Sequence, residues 1–226
     1  MPFPKIDNAM LNTGSDVGQI LQLNSAGKLP ALDASQLTNL VTGNQSGSAL
    51  VLLNTQVVPG GGVGQIDFTT GIDATYKEYV VRGTDIGLSN SGNLGLRVRI
   101  GGVFKSTGGY TYGGQVLILN GATTPSGTGD AASNYFSVIP SHPNLSGVNC
   151  DAAFALSITN PSGTNRLKAM HVVGGGNGVD TNSAFTYYIG GAWNDSGSDY
   201  SPFDGLRFFS PNGIINSGTF KLYGVL

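Results

Sequence analysis

From about Ser48 onward, apolar side chains recur at every second position in short runs, each closed by Gly, Asn, Ser, Asp or Pro. That period sends successive side chains to opposite faces of an extended chain, which confines this part of the sequence to sheets with one buried face. In LGLRVRI, Leu94, Leu96, Val98 and Ile100 point one way while Gly95, Arg97 and Arg99 point the other. AFALSIT places Phe154, Leu156 and Ile158 together, and its continuation through NPSGTN into RLKAMHVV makes Ala153 to Val173 a predicted hairpin. The ending SGTFKLYGVL puts Phe220 and Leu222 on one face and Thr219, Lys221 and Tyr223 on the other. With ALVLLNTQVV, QIDFT, YKEYVVR, QVLIL, NYFSVI, AFTYYIGGAW and GLRFF, roughly ten strands are expected. No fixed repeat and no long helical period interrupts them, which favours an all-β fold, a β-sandwich or jelly roll, over a propeller or β-helix.

The first part of the chain has another character. Between Met1 and Gly47 the apolar residues are sparse, and Gly14, Gly18, Gly27 and Pro30 forbid a long helix. Only DASQLTNL has helical grammar, with Asp33 as N-cap and Gln36 three residues later. One short helix and a few leucines do not offset the backbone entropy of ordering, roughly 1 to 2 kcal/mol per residue. Residues 1–48 are therefore expected to be disordered or to bury their leucines against other copies. TGNQSGS, Thr42 to Ser48, is the expected joint to a β-domain at 49–226.

Composition removes several partners. Thirty-six glycines with only 11% charged and 39% hydrophobic residues fit a turn-rich β-protein rather than a disordered chain. A formal charge of −2 with Lys and Arg scattered singly offers no footprint for nucleic acid or an anionic membrane. A single cysteine, Cys150, precludes an intrachain disulfide framework. Pro2, Pro4, Lys5 and Asp7 leave no signal-peptide core after Met1, so synthesis in a cytoplasm is expected, without membrane insertion.

The string GQILQLNSAGKLPALDASQLTNL resembles a segment that precedes the distal domain in tail fibres and receptor-binding proteins of tailed bacteriophages. IDFTTGIDATYKEYVV and SGTFKLYGVL likewise resemble the first and last strands of the β-sandwich module at the ends of such fibres, while about residues 101–212 match no such motif. The resemblance implies a homotrimer in which Leu21, Leu23, Leu29, Leu32, Leu37 and Leu40 approach a threefold axis, making 1–48 a docking and trimerising stalk. It also implies a virion location, a tail or capsid protein bound by the N-terminal end (Met1 to Asn12), and a head that attaches to a host cell-surface glycan. A capsid decoration or head fibre of the same architecture is the alternative, and a capsular polysaccharide depolymerase a more distant one.

Catalytic signatures are sparse. Cys150, His142 and His171 are too few and too scattered for a nucleophile–base pair, and the two histidines lack metal-ligand spacing, so no catalysis, metal or cofactor is expected. VVGGGNGVD, Val172 to Asp180, reads as a turn, because no helix follows it and no Lys-Ser/Thr closes it. WNDSGSDYSPFDG gathers Asp195, Asp199 and Asp204 at a spacing that fits no EF-hand. That loop is the first binding candidate: Trp193 and Tyr200 would offer aromatic faces to a sugar, and Asp195 and Asp199 would fix hydroxyls. Trp193 serves equally well as a core residue. Tyr110 and Tyr112, in KSTGGYTYGGQ, form the second candidate, a stretch that also reads as a twisted hairpin.

Overall fold

The computed structural model describes residues 50–89, 93–119, 123–140, 151–177, 184–194 and 200–226. The chain divides into two units, Met1–Ser46 and Gly47–Leu226, and every described residue belongs to the second. The expected stalk, its short helix and Leu21, Leu23, Leu29, Leu32, Leu37 and Leu40 lie outside the described residues, as do His142 and Cys150.

The described residues are all-β. In chain order the strands are β1 (Leu50–Val57), β2 (Gln65–Phe68), β3 (Glu78–Leu88), β4 (Leu94–Ile100), β5 (Val103–Phe104), β6 (Tyr110–Leu119) and β7 (Thr123–Ser133). They continue as β8 (Phe136–Ile139), β9 (Asp151–Thr159), β10 (Ala169–Asn177), β11 (Ala184–Trp193), β12 (Gly205–Phe209) and β13 (Ile215–Val225). A large sheet has the order β1-β13-β3-β9-β10-β11-β6-β7, and a small one β2-β12-β4-β5 with β8 also on β4. Every pairing is antiparallel. In the large sheet β13 runs directly beside β3, with Tyr223 opposite Val80 and Lys221 opposite Arg82.

Both sheets turn their alternating apolar sets inward to one core. At its centre Phe154 and Phe220 of the large sheet meet Phe208 of the small one, with centroids 5.7 and 5.3 Å from the Phe208 ring, and Phe68 stands edge-on to Phe208 at 6.2 Å. Gly83 makes this cluster possible: a Cβ there would sit 2.2 Å from the Phe154 ring, which lies across the bare backbone. A second tie is polar. The buried Tyr110 hydroxyl, on the large sheet, accepts from the Val98 N–H of the small sheet and donates to the Lys105 carbonyl, both at 2.9 Å.

Two expectations need correction. VVGGGNGVD is not a turn as far as it is described, since β10 runs through Gly174, Gly175 and Gly176 to Asn177. Gly174 and Gly176 face inward, where a Cβ would strike the Tyr187 hydroxyl at 2.3 Å and the Asp151 carbonyl at 2.2 Å, so glycine here marks tight packing rather than reversal. The run TTPSGTGDAAS, not expected to be a strand, forms β7. It is an edge strand, where a proline and the absence of large apolar residues are tolerated because one side of the ladder needs no partner.

The aromatic interlock yields a test. Phe208→Ala should lower stability by about 3–5 kcal/mol, and Gly83→Val by about 1–3 kcal/mol through overpacking against Phe154. Urea unfolding followed by tryptophan fluorescence measures both; unchanged midpoints would mean that the sheets are held elsewhere.

Candidate functional site

The aromatic residues singled out from the sequence divide between core and surface. Trp193 is buried, 1% exposed, with its ring 6.5 Å from Tyr110 and 6.3 Å from Phe203. Tyr110 is wholly buried and its hydroxyl is committed to the cross-sheet tie. These two are therefore corrected from binding to core residues: the alternation of β6 and β11 points both inward, in direct register with each other, and leaves neither with a face for a sugar. Tyr112 is half-buried against Phe136 at 5.8 Å, and desolvation pushes its phenol up, with Tyr135 and Asp130 adding to the shift. Tyr200 is 36% exposed, and its carbonyl accepts from the buried Lys168 Nζ. Asp195 and Asp199 lie outside the described residues. Asp204 is engaged structurally, accepting from the Gly102 N–H at 2.8 Å and lying 3.8 Å from Arg99.

What the structure brings together instead is on the outer face of the large sheet. There Tyr188, Thr186, Val173, Gln115 and Leu117 line a shallow groove of 380 Å³. Its geometry follows from register. Tyr188 on β11 is opposite Val173 on β10 and Gln115 on β6, and Thr186 is opposite Leu117, so all five side chains share one face. Tyr188 and Val173 are each 56% exposed, whereas their inward neighbours Tyr187 and Val172 are buried. The Thr186 hydroxyl donates to the Gly174 carbonyl at 3.1 Å. On the adjoining row His171 faces Gly190, where a Cβ would lie 3.2 Å from the imidazole, so the ring rests beside the groove with nothing rising from β11 to screen it.

No family model, curated protein or solved structure matches this chain. The site is accordingly read from its own chemistry. An aromatic ring standing from a flat sheet, flanked by an amide and a hydroxyl and by no charge within the groove, suits the C–H face of a sugar and its hydroxyls. Among the described residues no group of three or more His, Cys, Asp or Glu is placed to hold a metal ion.

Sequence reasoning treated AFTYYIGGAW as a strand and went no further. The signal was present: strict alternation through TYYIG must send one of the paired tyrosines outward, next to glycines that do not cover it. Burial separates the two aromatic sets experimentally. Trp193→Ala should cost about 3–5 kcal/mol, whereas Tyr188→Ala should stay within about 0.5 kcal/mol of the parent. Thermal and urea denaturation of the two variants checks this contrast, and equal losses would contradict the assignment of faces.

Proposed function

We propose that this chain is a structural virion protein, a bacteriophage tail fibre or receptor-binding protein that attaches to a glycan of the host surface without catalysis. In this reading residues 1–48 form the docking and trimerising stalk, residues 49–226 form a β-sandwich head, and three copies assemble on the virion. The observation that carries the reading is the groove around Tyr188: a solvent-facing aromatic with Gln115 and Thr186 beside it, on a rigid sheet whose inner face is fully occupied by core. Attachment proteins need that division between a stiff scaffold and an adhesive surface. The fibre-like segments, with the thinly spread leucines from Leu21 to Leu40, supply the assembly half of the reading.

Three copies would change the energetics of adhesion. A sugar site with roughly millimolar affinity contributes only about −4 kcal/mol, yet linked sites raise avidity by roughly a hundredfold or more where geometry allows simultaneous engagement.

Two measurements test the reading. The full chain should have a native mass three times 23.2 kDa by light scattering, and Leu37→Asp, which sets carboxylates near one axis, should reduce it. Added free protein should block virion adsorption to the host, and an antibody to the chain should label the virion in negative stain. A monomer at all concentrations defeats the trimeric stalk, and unlabelled virions defeat the virion role.

A further inference from the structure

Building on the glycan-attachment reading, we propose that the outer face of the large sheet is a track for an anionic polysaccharide, laid across the strands from Tyr188 to the pair Arg82 and Lys221. These residues belong to one unbroken cross-strand row: Lys221 is opposite Arg82, Arg82 opposite Ala155, Ala155 opposite Val173, and Val173 opposite Tyr188. Directly paired residues share a face and neighbouring strands lie about 4.8 Å apart, so Arg82 stands three spacings, about 14 Å, from Tyr188. The two positions between carry only Ala155 and Val173. The row is thus a low floor with an aromatic ring at one end and two cations at the other.

That spacing is close to the repeat of a pyranose chain, which places about one ring over each strand. The first ring stacks on Tyr188, with Gln115 and Thr186 in reach of its hydroxyls, and the chain then crosses β10 and β9 over the small side chains. An acidic substituent further along meets Arg82 and Lys221.

The cations themselves point to an anion. Both are exposed and directly opposed, an arrangement in which like charges repel. Among the described residues neither takes part in an ion pair; the two ion pairs present there join Arg99 to Asp204 and Arg207 to Asp67, none of which lies on this row. The Arg82 guanidinium is held 5.8 Å from the Tyr223 ring centroid, which orients it on the sheet without neutralising it. A carboxylate or phosphate of the ligand bridges the two and relieves their repulsion.

The probe is an array of purified bacterial surface polysaccharides in three arms, uronate-bearing, phosphodiester-bearing and neutral, presented to the full-length protein. Binding should fall in an acidic arm, and the arm that responds identifies the anion. Tyr188→Ala should weaken that binding by about tenfold or more, while Tyr188→Phe, which keeps the ring, retains it. Arg82→Gln combined with Lys221→Gln should weaken it by a similar factor and flatten its dependence on salt. All of these side chains are exposed, so circular dichroism and native mass should not change. Binding confined to the neutral arm, or to none, overturns the proposal, as does undiminished binding of the double Gln variant. A lowered native mass in either variant overturns it as well, by showing that the face is a contact between copies. Polysaccharide binding that persists while virions lack the chain would defeat the attachment reading and leave the track standing.

Discussion

Phenylalanine rings from the two sheets interlock at the centre of the β-unit, and most other features of the structure follow from that contact. Phe154 and Phe220 project from the large sheet onto Phe208, with Phe68 against its edge. The arrangement depends on an absent side chain, because any Cβ at Gly83 would intrude on Phe154. Once these rings fix which face of β9, β12 and β13 is inward, the period of two fixes the outward face of every strand in register with them. Tyr79, Val81, Leu156, Val172, Tyr187 and Ile189 are thereby committed to the core, and Arg82, Val173 and Tyr188 to solvent. The outer row is a geometric consequence of the core, while its chemistry is free to vary, since no packing requirement selects tyrosine at 188 or cations at 82 and 221.

Strand positions were legible wherever alternation is strong. LGLRVRI, AFALSIT and the C-terminal run orient as their patterns require, and the hairpin from Ala153 to Val173 is formed by β9 and β10. Legibility failed where glycine replaces the side chains that carry the pattern. The triple glycine of β10 imitates a turn, yet these residues are extended because flanking backbone and the Tyr187 ring leave no room for a Cβ on the inner face. Strand β7 is hidden by its Pro, Ser and Gly content, which an edge position permits.

The site was less legible than the fold for a related reason. Trp193, Tyr110 and Tyr188 are equally aromatic in the sequence, and what separates them is the phase of each strand against the core. Phase is readable within a strand, but which side becomes core is settled by its neighbours. Tyr110 is further marked by a hydrogen bond to the opposite sheet, a relation between positions 98 and 110 that no local pattern announces. The aromatic left outside is the one whose cross-strand neighbours, Val173 and Gln115, stay below it and leave its ring open.

An adhesive function placed on this face differs sharply from one placed on the loop after Trp193, and side-chain reactivity distinguishes them. Hydroxyl-radical footprinting of the full-length protein, alone and saturated with an acidic polysaccharide it binds, reads Tyr188, Val173 and His171 against Tyr200 and the half-buried Tyr76, which lies between β2 and β3, in one experiment. Strong protection of Tyr188 and Val173, with Tyr200 and Tyr76 unchanged, is the predicted result. Protection of Tyr200 while Tyr188 oxidises at its free rate would contradict the assignment of the outer sheet face as the binding surface.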